Sequence, residues 1–102
     1  MSLTRQDVVR WAQASGDRNA LHLVPGAAGR AGLAGGPGDV VAHGLMLAAL
    51  STALVPPDGA EDALEVRMPA PAVLSATGSV LLAVSPSTGD VVCGGRTVLR
   101  RV

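Results

Sequence analysis

The chain has 102 residues, a length that predicts one domain over residues 1–102. Eight basic and eight acidic side chains give a formal net charge of zero, and the aromatic content is one Trp. Binding to nucleic acid needs an excess of basic charge or aromatic stacking platforms, so we exclude nucleic acid as a partner. The single Cys likewise excludes an intramolecular disulfide framework and a Cys-rich metal site.

The core of such a chain is predicted to be too small. Apolar residues make up 48% of the sequence, yet the large aromatic side chains that fill many cores are nearly absent. We therefore expect a second copy of the chain to cover the core, as a homodimer. No apolar signal segment stands near residue 1, and the apolar run at residues 40–55 is shorter than the roughly 20 residues of a membrane span. These features predict a cytoplasmic protein without a membrane partner.

The first predicted element is a helix over residues 5–14. Thr4 is a suitable N-cap, and Asp7 stands at the position that completes a capping box. Leu3 and Val8 are placed to form a hydrophobic staple across the same helix start. The start of this helix is therefore specified by local sequence alone.

Beyond the helix stop expected at Gly16, residues 15–42 are predicted to be irregular. The Gly- and Pro-rich run at 25–38 contains too many helix and strand breakers for regular structure. Such a run favours either a flexible surface loop or a mobile lid over a site. A second helix is predicted over residues 44–55, ended by Pro56-Pro57. Because this helix is apolar nearly all round, we expect it to be buried on most sides.

The pattern changes to strands after the second helix. Alternating apolar residues predict a half-buried strand at residues 64–68, and a continuous apolar run predicts a strand covered on both faces at 80–84. A turn cluster follows at 85–90, and a last strand is predicted at 91–102 with Gly94-Gly95 as a bulge. The order of helix, long loop, buried helix and about three antiparallel strands indicates an α+β fold, in which a curved sheet wraps the apolar helix.

A carboxylate, an amide and an imidazole stand close together after the first helix, as Asp17, Asn19 and His22. A carboxylate and an imidazole in one turn can share a water, one taking its proton while the other supplies a proton elsewhere. The same Gly-Asp-x-Asn spacing also forms ordinary turns in which Asp and Asn cap backbone amides. The spacing alone leaves both interpretations open.

The second histidine, His43, precedes Gly44 at the start of the apolar helix. A helix N-terminus offers unpaired N–H groups and the positive end of the helix dipole. Because Gly44 has no side chain, a ligand carbonyl could approach those N–H groups, which predicts an oxyanion site. In the alternative interpretation, Gly44 gives room for close packing and His43 caps the helix or fills space.

Together the two segments resemble the MaoC-like family of (R)-specific enoyl-CoA hydratases and dehydratases. The family pattern is an aromatic residue, a short spacer, Gly-Asp-x-Asn-Pro-aliphatic-His, and a His-Gly pair that opens the central helix. Trp11 stands at the aromatic position, and Ala20 replaces the Pro. The resemblance covers residues 11–52 and implies the hot-dog fold, an antiparallel sheet wrapped around a central apolar helix. The matching residues are Gly16, Asp17, Asn19, Leu21, His22, Ala28, His43 and Gly44.

The resemblance also implies an activity. Asp17 and His22 would be the catalytic pair that activates or releases water at the β-carbon and moves the α-proton, and Asn19 would orient them. The substrate would be an acyl thioester on coenzyme A or an acyl carrier protein. The chain would be a hydratase of enoyl thioesters or a dehydratase of 3-hydroxyacyl thioesters. This chemistry needs no metal and no cofactor.

Substrate binding is implied at the central helix. The N–H of Gly44 would hold the thioester carbonyl, and His43 beside it would be a second substrate-binding residue. The Thr52 hydroxyl would orient Asp17. Hot-dog domains begin with a strand and carry more strands after this helix than the patterns here show. The chain is therefore either a trimmed hot-dog that lacks its N-terminal strand, or a fold with strands that the patterns miss.

Two other functions stay open. The short chain favours a non-catalytic hot-dog partner subunit that binds acyl thioesters. The small size and the Gly-rich run would also suit a polyketide-type tailoring dehydratase or cyclase with a bulky substrate.

Overall fold

The computed structural model describes residues 1–33, 35–57, 65–75 and 78–102. Within these ranges the chain forms four helices and seven strands, and none of the helices has the length and apolar character needed to cross a membrane. The helices are α1 (Arg5–Ser15), α2 (Ala20–Leu23), α3 (Ala27–Arg30) and α4 (Gly44–Leu54). The strands are β1 (Ser2–Thr4), β2 (Val40–Val41), β3 (Val66–Arg67), β4 (Val73–Leu74), β5 (Ser79–Val84), β6 (Val91–Cys93) and β7 (Arg96–Arg101).

Helix α1 begins and ends where the sequence predicts. The Asp7 N–H donates to the Thr4 hydroxyl oxygen at 3.1 Å, and the Thr4 N–H donates to the Asp7 carboxylate at 2.9 Å. These two bonds confirm the capping box. The helix stops at Gly16, whose φ of 78° lies in the left-handed region that favours glycine.

A strand does precede α1, so the expected absence of an N-terminal strand is wrong. Strand β1 pairs antiparallel with β5, with Leu3 opposite Val80. The Leu3 side chain is buried, which ties the start of the chain into the core. A strand of three residues is too short to show an alternating pattern, and this is why the sequence did not indicate it.

Residues 15–42 are more regular than predicted, since they hold α2, α3 and β2. Helix α2 starts at Asn19, whose side-chain oxygen accepts the Leu21 N–H at 3.1 Å. The Gly26 N–H donates to the carbonyl of Asp39 at 2.8 Å and ties the glycine-rich stretch to the start of β2. Helices of four residues have no periodicity for a sequence pattern to reveal. Residue 34 of this stretch lies outside the described residues.

Five strands form one antiparallel sheet in the order β1-β5-β6-β7-β3, and β2 pairs with β4 in a second, two-stranded sheet. In the described part of the chain five strands follow α4, where about three were predicted. The strand predicted at 64–68 is β3, and residue 64 lies outside the described residues. The prediction missed β4, which has two residues, and did not separate β6, which has three, from β7. Strands this short carry a weak alternating pattern.

The last predicted strand is a hairpin of β6 and β7 instead. Gly94 and Gly95 both have positive φ and form its turn, where a bulge was expected. The irregularity in the pairing lies between Val91 and Val92. Two adjacent glycines permit a tight reversal as readily as a bulge, so the pattern did not separate the two outcomes.

The core lies between the sheet and one side of α4, which packs against β7. Met46, Leu47 and Ser51 are the buried residues of α4, while Leu45 and Leu54 are 71% and 53% exposed. The prediction that this helix is buried on most sides is therefore wrong within one chain. Strand β5 is also covered on one face only, because Leu81 is 76% exposed. An apolar run does not reveal whether a partner covers its second face.

Candidate active site

Helix α2 and strand β2 fix the ring of His22. The Asn19 side chain caps α2, and His22 lies in that helix. The Nδ1 atom of His22 lies 2.7 Å from the carbonyl oxygen of Val41. A carbonyl can only accept a hydrogen bond, so Nδ1 carries the proton, and in the neutral ring Nε2 has a free lone pair. The geometry therefore makes Nε2 of His22 a proton acceptor.

Asp17 is brought to this free nitrogen. Its Oδ2 atom lies 3.9 Å from Nε2 of His22, and its Oδ1 atom accepts the Asn19 N–H at 3.3 Å. The Asp17 side chain is 48% exposed and that of His22 is 13% exposed. A separation of 3.9 Å is too long for a direct hydrogen bond, and a polar contact of this length is often bridged by water. The predicted pair is thus together and open to solvent on the Asp17 side.

Asn19 acts on the pair through the backbone. Its N–H holds the Asp17 carboxylate and its side chain caps the helix that carries His22. The turn-capping interpretation of Gly-Asp-x-Asn and the catalytic one are therefore both realised. The caps of the turn are what place the acid and the imidazole side by side.

His43 lies behind the pair, away from the surface. Its ring is 1% exposed, stacks on the His22 ring at 3.7 Å between centroids with an angle of 24°, and places Nε2 at 2.9 Å from the carbonyl oxygen of Asp17. Its Nδ1 atom is buried and has no hydrogen-bond partner among the described residues. The structure does not present this side chain to a substrate, because the His22 ring and the Asp17 backbone cover it.

Gly44 begins α4 and borders a cavity of about 280 Å³ together with His22. The first N–H groups of any helix have no intrahelical acceptor, and here no side chain of the N-cap residue accepts from them either. The Met68 side chain lies against Gly44: a Cβ built there would overlap the sulfur and lie 2.8 Å from Cε. Close packing, the alternative explanation of this glycine, is therefore also present. The remaining lining residues are Leu21, Leu33, Val41, Ala42, Leu47, Ala70, Pro71, Ala72 and Val98.

Thr52 is not brought to Asp17. Its hydroxyl donates to the carbonyls of Ala48 and Ala49, each at 3.1 Å, on its own helix. With a rise of 1.5 Å per residue, Thr52 stands about 12 Å along the axis from Gly44, where the pair is located. The implied role of Thr52 in orienting Asp17 is therefore not supported.

A larger cavity of about 610 Å³ lies elsewhere, between β1, α1 and α4. Its titratable lining residues are Asp7 and Arg10, and no histidine lines it. Asp7 is committed to the capping box of α1. Because the imidazole of the acid–base pair, His22, lines the smaller cavity together with Gly44, we assign the site there.

The three side chains Asp17, His22 and His43 come close enough to be considered as metal ligands, with one donor atom of each within 4.8 Å of the others. The two imidazole rings, however, are stacked and nearly parallel, with an angle of 24° between their planes. Lone pairs on parallel rings do not converge on one ion. The set suits proton transfer better than metal binding.

The lone thiol, Cys93, lies on β6. Burial raises the pKa of this thiol above its ordinary value, which keeps it protonated and unreactive at neutral pH. We therefore assign it no chemical role.

Two contributors were not visible in the sequence. The Val41 carbonyl sets the tautomer of His22, and a backbone acceptor leaves no mark in residue type. Met68 covers Gly44, although its alternation with Val66 indicated only that it faces inward. The first feature acts on His22 and the second on Gly44.

Comparison with known families gives one match. A family model described as MaoC like domain matches residues 1–81, which include Asp17, His22, His43, Gly44 and Met68. No curated protein matches the chain.

Proposed function

The chain belongs to the MaoC-like domain family, whose domain has the hot-dog fold, and we propose that it hydrates enoyl thioesters or dehydrates 3-hydroxyacyl thioesters. Members of this family are usually hydratases or dehydratases. The observation that carries the proposal is the Asp17–His22 pair, separated by 3.9 Å, whose His22 ring lines a cavity that also reaches Gly44 at the start of α4.

The proposed acid–base step uses one proton. In the hydration direction a water oxygen held between Asp17 and His22 attacks the β-carbon, and Nε2 of His22 takes a proton from it. The electron pair of the double bond moves to the α-carbon and the thioester oxygen. Nε2–H then returns the proton to the α-carbon, while the Asp17 carboxylate stabilises the transient imidazolium. Dehydration is the same sequence in reverse.

The developing negative charge on the thioester oxygen needs a hydrogen-bond donor. The N–H of Gly44 is the first of an 11-residue helix, so the positive end of the helix dipole stands behind it. One such donor typically contributes about 10²–10³-fold to the rate. For a carbonyl to approach it closely, Met68 has to move away from Gly44, and an unbranched thioether on a residue that is 53% exposed can do so.

The cavity favours a short acyl chain. Its volume of about 280 Å³ lies at the small end for ligand sites, and its walls are mostly aliphatic side chains. A pantetheine thioester would place its acyl group in this cavity and leave the carrier outside. We therefore propose short acyl groups on coenzyme A or an acyl carrier protein.

MaoC-like domains commonly bind acyl thioesters and oligomerise. Here Leu45 and Leu54 on α4 and Leu81 on β5 are more than half exposed. Covering exposed leucines removes apolar area from water, and we propose that a second copy of the chain does so. Sedimentation equilibrium should give twice the chain mass of 10.1 kDa, and a monomer at micromolar concentration would contradict this.

The test of the activity is a direct assay. Purified protein is mixed with short enoyl-CoA esters or with the same acyl group on a carrier protein, and loss of the enoyl absorbance is followed. We expect turnover in wild type and a fall of about 10²–10⁴-fold in Asp17→Asn. No turnover on any thioester at high enzyme concentration would overturn the proposal. Thioester binding without turnover would instead favour a non-catalytic subunit. Activity restricted to bulky carrier-bound substrates would favour a tailoring dehydratase or cyclase.

A second experiment tests Gly44. The φ of Gly44 is not positive, so alanine is allowed by the backbone, but its Cβ would collide with Met68. The double variant Gly44→Ala/Met68→Ala removes that collision and should recover the stability lost in Gly44→Ala. If ligand approach is the function of Gly44, the turnover number stays low in the double variant. Full recovery of activity would assign Gly44 to packing alone.

A further inference from the structure

We propose that His43 is a positioning residue for the reaction proposed above. Its side chain holds both the Asp17 turn and the His22 ring from the buried side and does not touch the substrate. The inference rests on that proposed function. It replaces the substrate contact that the resemblance implied for His43, since the ring is 1% exposed.

The first link is the hydrogen bond to the Asp17 turn. Nε2 of His43 lies 2.9 Å from the carbonyl oxygen of Asp17, across 26 residues of sequence. Because the carbonyl can only accept, Nε2 of His43 carries a proton. The other bonds of this turn run to neighbours: the Asp17 N–H donates to Ser15 and the carboxylate accepts from Asn19. The bond from His43 is the tertiary contact that holds an otherwise exposed turn.

The second link is the ring stack. The His22 and His43 rings lie 3.7 Å apart between centroids, with an angle of 24°. The hydrogen bond to Val41 sets the direction in which Nδ1 of His22 points. The stack adds a flat surface that limits tilting of the ring about that bond.

The two links meet in one short segment. His22 is held by the carbonyl of Val41, and Asp17 is held by the side chain of His43. The separation of 3.9 Å between Asp17 and His22 therefore depends on the segment 41–43, where β2 runs into the start of α4, in addition to the Asn19 caps of the turn. A misplacement of about 1 Å between reacting groups can lower a rate by about 10²-fold, so a segment that fixes this distance matters for the reaction.

The third observation is the unpaired nitrogen. Nδ1 of His43 is buried and has no hydrogen-bond partner among the described residues. A buried polar atom without a partner is unfavourable, and an aliphatic side chain would fill the same space without that penalty. Packing alone therefore does not account for a histidine here, whereas the donor and the ring do.

Three variants separate the two links. His43→Gln keeps an N–H donor near the position of Nε2 but loses the ring. His43→Phe keeps a flat ring for the stack but loses the donor, and His43→Leu loses both. The control is Leu82→Ala, a buried residue of β5 away from the pair, which should lower stability and leave the turnover number of the folded protein unchanged.

We expect kcat on a short enoyl-CoA to fall about 10–10²-fold in His43→Leu with KM within about twofold, and to fall less in the Gln and Phe variants. Nitrogen-15 chemical shifts of the His22 ring should show the Nδ1–H tautomer in wild type and a weaker preference in His43→Leu. A wild-type kcat with unchanged His22 shifts in His43→Leu would overturn the inference. If His43→Leu does not fold, wild-type kcat in both other variants would overturn it.

The two proposals fail in different ways. Absence of turnover in wild-type protein contradicts the hydratase function. The nitrogen shifts of His22 report on the His43 stack and the segment 41–43 whether or not turnover occurs, so the positioning claim is tested by its own signal.

Discussion

The site segment, residues 16–43, and the sheet with α4 keep their shapes by different means. In the site segment single hydrogen bonds to backbone carbonyls hold the reactive side chains, as between His22 and Val41 and between His43 and Asp17. In the sheet and α4, fully buried aliphatic side chains such as Leu99 do so. The comparison teaches that activity and stability should respond to different substitutions. Geometry depends on a few directional bonds, and stability depends on the apolar area removed from water.

The largest effect should come from the site segment. His22→Gln removes the proton acceptor, and we expect kcat to fall by about 10²–10⁴-fold. The free energy of unfolding should change by only about 1 kcal/mol, since one hydrogen bond to Val41 is at stake. Enoyl hydration and urea unfolding measured on the same preparation check both values. A rate close to wild type would show that His22 is not the base.

The reverse should hold in the sheet. Leu99→Ala on β7 empties space at a residue that is 0% exposed and packs in the core with α4. We expect a loss of about 2–5 kcal/mol in the free energy of unfolding, from lost burial and the cavity left behind. The turnover number of the folded fraction should stay near wild type. If kcat falls as far as in His22→Gln, the two regions are coupled and the comparison fails.

Two neighbours on α4 sharpen the comparison. The buried Ser51 hydroxyl donates to the carbonyl of Gly89 at 2.6 Å, and Ser51→Ala leaves that carbonyl without this donor. We expect about 1–3 kcal/mol of destabilisation. The matched variant is Thr52→Ala, whose hydroxyl bonds only within its own helix, and its effect should stay within about 0.5 kcal/mol. Thermal and urea unfolding give both numbers.

The same Thr52→Ala variant tests a functional role. The resemblance implied that this hydroxyl orients Asp17, and the structure keeps it on the carbonyls of its own helix. Unchanged enoyl hydration in Thr52→Ala is therefore expected. A loss of tenfold or more in kcat would restore the implied role. A tenfold loss corresponds to about 1.4 kcal/mol of activation free energy.

The sequence predicted those parts of the fold whose signals are local. The capping box of Thr4 and Asp7 and the glycine stop at Gly16 set the bounds of α1 nearly to the residue. The strand β1 and the helices α2 and α3 were missed, because elements of three or four residues carry no periodicity. The exposed side of α4 was missed for another reason: an apolar sequence pattern is the same whether the side chains are exposed or buried within the chain.

The candidate site divides in the same way. Residue types and spacing made Asp17, His22 and Gly44 candidates, and the resemblance to the MaoC-like family gave them their implied roles. The contacts of His43 were not predicted, since a ring stack and a bond to a distant carbonyl depend on how α4 and the Asp17 turn meet in space. The closure of Met68 over Gly44 depends on the path of the chain after β3, which the local sequence does not specify.

A further small predicted effect is a pH dependence at the start of α1. The N–H of Thr4, then its hydroxyl and the charge of Arg10, hold the pKa of the Asp7 carboxyl below its ordinary value. A lowered pKa means that the unfolded chain binds this proton more readily than the folded one. The stabilisation is therefore fully present above the ordinary carboxyl pKa of about 4 and is lost as the pH falls through the folded-state value.

Asp7→Asn keeps an oxygen that can accept from Thr4 but removes the charge. At pH 6 the variant should be less stable than wild type by less than about 1 kcal/mol, as is usual for exposed charges at a helix start. The difference should be smaller at pH 3 than at pH 6, because the stabilisation declines below the ordinary carboxyl pKa of about 4. Urea unfolding of both proteins at the two pH values measures it, and comparison of the pair cancels the titration of the other carboxyls. A difference in unfolding free energy that stays constant with pH would mean that Asp7 stabilises α1 through its hydrogen bond alone. The start of α1 would then depend on directional hydrogen bonds, as the site segment does.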